Sequence, residues 1–168
     1  LLKAEWGNTE LQYNGKEQCP EVKFYDGNGK EVSVEFHYTG DVNAVNVGSG
    51  YKVRAELDDT AYQLDETTAE CEFSITKAIM TAPTLKGDGK IVYNGNELKF
   101  EDYYELNKDL LNIASGGVGV NAGNYTAIIE LKDTANCEWS AESGATGNTV
   151  QVKWSIEKAH LTAVWNGD

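Results

Sequence analysis

The chain has 168 residues and a formal net charge of −13, from 27 acidic and 14 basic residues. This charge argues against binding to nucleic acids or anionic membranes, because both require a basic surface. No apolar run is long enough for a membrane-spanning helix and no signal peptide is recognised, so we expect no membrane insertion within this sequence.

Alternating apolar and polar residues predict β-strands along the first half of the chain. The pattern begins at Val22 and Phe24 and continues through residues 31–38, 51–57 and 73–75. A period of two places one face of each strand on a core and the other face in water. Turns rich in Gly and Asn separate these segments, as expected for short antiparallel strands.

The second half of the chain has the same alternation and one ambiguous segment. Strands are predicted at residues 125–132 and 150–156. Residues 101–111 have rough helical spacing, but the first half contains no matching helix. We therefore prefer a turn followed by a strand at residues 110–113. Short strands at regular spacing predict an all-β sandwich, whereas a helix at 101–111 would favour a β-grasp-like fold.

The sequence repeats itself with a period of about 80 residues, which is typical of tandem domains. The Tyr-Asn-Gly string at Tyr13 returns at Tyr93, and the Ile-x-Lys-Ala string at Ile75 returns at Ile156. The opening segment is echoed again from Leu161 onwards.

This repeat predicts domains at residues 1–79 and 80–160, followed by residues 161–168 as the first strand of a truncated third copy. No Gly-, Ser- or Pro-rich spacer separates the copies, so we expect restricted motion between neighbours and an elongated array. Because the sequence begins without Met and stops inside a copy, we interpret it as a fragment of a longer protein.

Two strings carry a family resemblance: Val-Asn-Ala-Gly-Asn-Tyr-Thr-Ala at residues 120–127 and Val-Lys-Trp-Ser-Ile-Glu-Lys-Ala at residues 152–159. They resemble the MBG-type, bacterial Ig-like tandem repeats of large surface proteins of gut Firmicutes, and the resemblance covers almost the whole chain. It implies two tandem Ig-like β-sandwich domains in an extracellular, cell-surface or cell-wall-associated array. The implied partners are neighbouring repeats of the same chain, and the implied function is a stalk or spacer with a role in adhesion.

No pattern for catalysis or for a cofactor is recognised. His37 and His160 have no cysteine, histidine or carboxylate at metal-ligand spacing. Neither a Gly-x-Ser-x-Gly nor a His-Glu-x-x-His string occurs. We therefore predict that the chain is not an enzyme and that it holds no cofactor or metal.

Two acidic pairs are the best candidate for weak calcium binding. Asp58-Asp59 and Asp65-Glu66 lie at the same predicted end of the sandwich, where several carboxylates could supply the oxygen ligands that calcium requires. The second copy retains only Asp133 of this set, so solvated acidic loops are the favoured interpretation.

The three cysteines, Cys19, Cys71 and Cys137, allow at most one intrachain disulfide. Strand alternation places Cys71 inward, in parity with Phe73 and Ile75, and places Cys19 outward. Opposite orientations argue against a bridge between these two residues, because a disulfide requires closely spaced Cβ atoms.

Exposed aromatic rings are the remaining candidate for ligand binding. The tryptophans align with other large apolar residues between copies, which is typical of core positions: Trp6 and Trp165 with Leu85, Trp139 with Leu64, and Trp154 with Phe73. Tyr103 and Tyr104 occur in the second copy alone, so they are the candidate ligand contacts. They support an alternative function, a module that binds host or dietary carbohydrate or a host protein.

Overall fold

A computed structural model describes residues 1–87 and 89–165. Strands contain 45% of the residues and helices 4%, which confirms the prediction of an all-β chain. Contacts divide it into two compact units, unit 1 at Leu1–Ala78 and unit 2 at Ile79–Asp168. The copy boundaries at 1–79, 80–160 and 161–168 stay a prediction about the sequence repeat. Over the described residues, no helix is long and apolar enough to span a bilayer.

Unit 1 consists of a four-stranded and a two-stranded sheet. The larger sheet has the order β2-β6-β5-β4, and β1 pairs with β3 in the smaller sheet. All pairs are antiparallel except β2 with β6, which run parallel. The strands are β1 (Lys3–Trp6), β2 (Glu10–Gln12), β3 (Val22–Tyr25), β4 (Phe36–Gly40), β5 (Gly48–Leu57) and β6 (Glu70–Thr76).

The core of unit 1 contains residues from both sheets. Ala4 and Phe24 of the smaller sheet cluster with Ala55 of the larger one. Trp6 packs against this cluster and also against a second one that contains Val53 and Phe73. Two layers that share apolar inner faces in this way are compatible with a β-sandwich.

The strand predicted at residues 31–38 is shorter in the structure, where β4 begins at Phe36. The Val32 N–H still donates to the Phe24 carbonyl oxygen at 2.8 Å, whereas the Glu35 carbonyl oxygen accepts from Asp58. The chain therefore passes from the smaller sheet to the larger one between Val32 and Glu35. Partly buried and exposed residues alternate across this crossing as predicted, because Val32 and Phe36 both pack against the core cluster that contains Phe24.

Unit 2 is built around a three-stranded antiparallel sheet with the order β13-β11-β9. Two further pairs are β10 with β8 and β12 with β7. A 3₁₀ helix covers Ala141–Ser143. The strands are β7 (Ala78–Met80), whose first residue is the last of unit 1, β8 (Leu98–Lys99), β9 (Leu111–Ser115), β10 (Val118–Gly119), β11 (Gly123–Leu131), β12 (Cys137–Trp139) and β13 (Thr149–Ile156).

The ambiguous segment at residues 101–111 contains a single helical turn, α1 (Phe100–Tyr103). So short a helix is not stable by itself, and the fully buried Phe100 anchors it to the core. Tyr104 is already extended, and β9 begins at Leu111. The strand predicted at residues 110–113 is therefore confirmed from Leu111 onwards.

Hydrogen bonds in the Tyr-Asn-Gly turns occur at matching positions of the two units. The Asn14 side-chain oxygen accepts from the Lys16 N–H at 2.9 Å, and the Asn94 side-chain oxygen accepts from the Asn96 N–H at 2.9 Å. The glycine that follows each asparagine has a positive φ, which is 75° at Gly15 and 82° at Gly95. Local sequence thus produces the same turn twice.

A second match involves a tyrosine on the central strand of each unit. The Tyr51 hydroxyl donates to the Asn46 carbonyl oxygen at 3.0 Å, and the Tyr125 hydroxyl donates to the Asn121 carbonyl oxygen at 2.7 Å. Each tyrosine stacks on the aromatic residue directly opposite it on the neighbouring strand. The same cross-strand contact therefore fixes the register in both cores.

Gly116 connects β9 to β10 and has a φ of 70°, and an added Cβ would overlap the Thr126 carbonyl oxygen. We expect Gly116→Ala to lower the free energy of unfolding by about 2–4 kcal/mol, because both the backbone strain and the overlap are unfavourable. Urea unfolding measures this change. Gly123→Ala is the matched control, because no heavy atom lies within 4 Å of the added Cβ. A loss in the control as large as that in Gly116→Ala contradicts the prediction.

Candidate functional site

The acidic residues considered as calcium ligands have partners within unit 1. Asp58 Oδ1 lies 2.8 Å from His37 Nδ1, and Asp59 Oδ1 accepts from the Ala61 N–H at 2.9 Å. Asp133 makes the matching bond to the Ala135 N–H in unit 2. Asp59 and Asp133 therefore stabilise the same turn in both units.

The side chains of the second acidic pair also have partners within unit 1. Asp65 accepts from both the N–H and the hydroxyl of Thr67, and these hydrogen bonds lower the pKa of the Asp65 carboxyl. Glu66 forms an ion pair with Arg54. Across residues 1–87 and 89–165, no three His, Cys, Asp or Glu side chains converge as metal ligands. Each of these carboxylates bonds to its own loop or to a neighbouring basic side chain.

The cysteine prediction is correct for Cys71 and wrong for Cys19. Cys71 is buried, but Cys19 packs against the core cluster that contains Cys71 instead of pointing outward. The alternation does not apply to Cys19, because this residue lies before the start of β3 in a segment without strand structure. Cys19 and Cys71 are free thiols, and burial raises the pKa of both.

The tryptophans differ in burial. Trp154 is 3% exposed, which confirms a core position, whereas Trp6 and Trp139 are partly buried. Trp165 is 92% exposed, so the core interpretation is wrong for this residue in the structure. Residues 161–165 form no strand, and residues 166–168 of the predicted third copy lie outside the described part of the chain. Without strand pairing, nothing directs Trp165 into a core.

The end of α1 separates the two tyrosines proposed as ligand contacts. The Tyr103 carbonyl oxygen accepts from the Lys86 N–H at 2.7 Å, which fixes the backbone there. Tyr104 stacks on Phe100, with ring centroids 4.1 Å apart and an interplanar angle of 13°. Tyr104 lines a groove in unit 2, and Tyr103 is not among the residues that line it.

The groove has a volume of about 650 Å³ and lies within unit 2. Trp154 and Tyr125 contribute aromatic surface from adjacent strands, with their ring centroids 4.8 Å apart. Further apolar surface comes from Leu85 and Ile91. The polar lining is Lys90, Asn124, Thr126, Lys153, Ser155 and Glu157.

The charged groups of the groove combine hydrogen-bond donors with an acceptor. Lys90 Nζ lies 3.4 Å from a Glu157 carboxylate oxygen, and both side chains are exposed. The Tyr104 hydroxyl lies 3.5 Å from the Lys153 carbonyl oxygen, at the limit of a hydrogen bond, and burial raises the pKa of Tyr104. The groove therefore presents an ammonium group and a carboxylate side by side, next to a supported aromatic ring.

Only Tyr104 of this lining was predicted as a ligand contact. The other residues extend from Leu85 to Glu157 and form no motif, because packing of β11, β13 and the segment before α1 brings them together. One sequence signal was available: Leu85 aligns with Trp6, and the smaller side chain leaves space in the second copy.

The raised pKa of Tyr104 predicts an alkaline loss of stability. An unfolded tyrosine ionises near pH 10, whereas folded Tyr104 keeps its proton to higher pH because burial disfavours the phenolate. The folded state then binds more protons, so the free energy of unfolding falls as pH rises through this range. Tyr104→Phe should make this fall less steep in urea unfolding between about pH 9 and pH 11. Tyr38→Phe is a positive control, since burial also raises the pKa of Tyr38. Identical slopes for wild type and Tyr104→Phe contradict the assignment.

Three comparisons with known proteins found no relative of this chain. No protein-family model matches the chain, and neither a curated protein nor a solved structure gives a significant match.

Proposed function

We propose that the chain is a non-catalytic structural segment of a bacterial surface or secreted protein. In this proposal two Ig-like β-sandwich domains follow each other as a stalk or spacer, and their partners are neighbouring repeats of the same array. The MBG-type resemblance supports the extracellular location. The antiparallel sheets of both units support the Ig-like assignment, because a sandwich needs sheets with one apolar and one polar face.

The observation that carries the proposal is a parallel pairing in each unit, between an early segment and the last strand in unit 1 and between an early segment and the residue directly after the last strand in unit 2. In unit 1, β2 pairs in parallel with β6, and the Tyr13 N–H donates to the Thr76 carbonyl oxygen at 2.8 Å. In unit 2, the Tyr93 N–H donates to the Glu157 carbonyl oxygen at 2.9 Å, and Val92 bridges to Glu157 in parallel.

Parallel pairing determines how these hydrogen bonds respond to tension. When two parallel strands are pulled from the start of one and the end of the other, the force acts along the strands. All the hydrogen bonds between them then carry the load together, whereas an antiparallel hairpin pulled from one end opens one bond at a time. A unit with this connection resists extension between its ends, which is the property that a stalk requires.

The features shared by the units also favour a structural role. The matched residues hold turns and core contacts: Asn14 and Asn94 in the turns, Tyr51 and Tyr125 on the central strands. A shared catalytic or metal-binding function would place reactive side chains at matched positions. Asp59 and Asp133 are acidic at matched positions, and both bond to their own turns.

Single-molecule pulling from the two ends of the chain tests the proposal. We expect two distinct unfolding steps, each lengthening the chain by on the order of 250 Å, because each unit releases close to 80 residues. Tyr93→Pro removes the N–H that donates to Glu157, so it should lower the force of one step and leave the other unchanged.

Tyr93→Phe is the matched control, because it changes the side chain and keeps the N–H. Its unfolding force should equal that of the wild type. Extension without two distinct steps, or an unchanged force in Tyr93→Pro, contradicts the mechanical role.

A further inference from the structure

Leu85 of unit 2 and Trp6 of unit 1 occupy matching places in their folds. Trp6 pairs with Val22 in the antiparallel β1–β3 sheet, and Leu85 forms an antiparallel bridge with Tyr104. The residue after each donates its N–H in the same way, Gly7 to the Glu21 carbonyl oxygen at 2.8 Å and Lys86 to that of Tyr103 at 2.7 Å. Unit 1 therefore serves as an internal reference for the groove in unit 2.

The side chain at this place differs in size and burial. The Trp6 indole packs against both core clusters of unit 1, and its Nε1 donates to the Thr68 carbonyl oxygen at 2.9 Å. Leu85 has a smaller side chain, is 36% exposed and lines the groove. The indole thus fills space in unit 1, whereas the space beside Leu85 is open to solvent. The open volume of about 650 Å³ falls within the range of about 300–1,000 Å³ that is usual for ligand pockets.

The lining of the groove specifies the chemistry of an occupant. Phe100 stacks on one face of the Tyr104 ring and supports it, and Tyr104 also lines the groove. The Lys90 ammonium group and the Glu157 carboxylate, 3.4 Å apart, offer a donor beside an acceptor, and Lys153 also lines the groove. A hydroxyl group both donates and accepts, so neighbouring hydroxyls of a sugar match such a pair.

We propose that this groove binds a neutral saccharide chain, with a sugar ring packed on Tyr104 and its hydroxyl groups bonded to Lys90, Glu157 and Lys153. Glu157 already pairs with Lys90 in the groove, and the net charge of −13 of the chain repels an anionic polymer. The exposed charged pair disfavours a lipid chain, because burying it would leave the ions desolvated. The site goes beyond the spacer role and does not depend on it, since all its residues belong to unit 2.

Amide NMR shifts of the complete two-unit protein test the site with defined probes. The probes are four linear hexasaccharides, made of glucose, mannose, galactose and N-acetylglucosamine, each added to about 10 mM, which suffices for a dissociation constant near 1 mM. We expect at least one of them to shift the amides of Tyr104, of residues 124–126 and of residues 153–155, and to leave those of unit 1 unchanged.

Two variants assign the binding to the groove. Leu85→Trp supplies the indole that unit 1 has at this place and should weaken binding at least about tenfold, equivalent to about 1.4 kcal/mol. Tyr104→Leu removes the flat ring and should have a similar effect. Tyr62→Leu alters an exposed tyrosine of unit 1 and should bind as the wild type does.

Unchanged spectra with all four probes overturn the proposal. Shifts that map to unit 1 also overturn it, as does binding that persists in both Leu85→Trp and Tyr104→Leu. The amide spectrum of each variant without sugar shows whether it is folded, and either variant alone suffices for the test. Loss of mechanical resistance in the pulling experiment leaves this result unaffected, so the two proposals fail independently.

Discussion

A connected series of aromatic contacts holds unit 2 together and positions its groove. Tyr125 stacks on Trp154 across the β11–β13 pair, Trp154 meets Phe100 edge to face at 6.1 Å, and Phe100 stacks on Tyr104. The Trp154 Nε1–H also donates to the Gly116 carbonyl oxygen at 3.0 Å. The series joins the central sheet to α1 and fixes the turn after β9. Removing one ring would therefore disturb both the core and the groove wall.

Unit 1 has the first of these aromatic contacts, with Tyr51 stacked on Phe73, and differs from unit 2 beyond it. The indole of Trp6 joins its two core clusters, where unit 2 has Leu85 and an open surface. Equivalent backbone hydrogen bonds flank both places, so the difference lies in the side chain and not in the connection of the strands. The proposed mechanical role would use the framework that both units share, whereas the proposed saccharide site would use the groove of unit 2 alone.

The parts of the fold that depend on residues adjacent in the sequence could be predicted. The strands around Tyr51 and Tyr125 follow from alternation, and the turns at Gly15 and Gly95 follow from glycine at a positive φ. The prediction for Cys19 was wrong because alternation ceases outside a strand, where the side-chain direction depends on how the loop meets the core. Residues 31–38 were predicted as a single strand, because the alternation of apolar and polar residues continues where the chain passes from one sheet to the other.

The sequence by itself determined the all-β class, the inward positions of the central strands and the two Tyr-Asn-Gly turns, because each depends on local conformation and a period of two. Tertiary structure alone decided which side chains meet in unit 2. Leu85, Tyr104 and the segment from Lys153 to Glu157 are far apart in the chain, and packing of an extended segment against β13 brings them to one groove. The physical reason is that a groove exists where packing leaves space, and that space depends on the volumes of side chains from several elements at once.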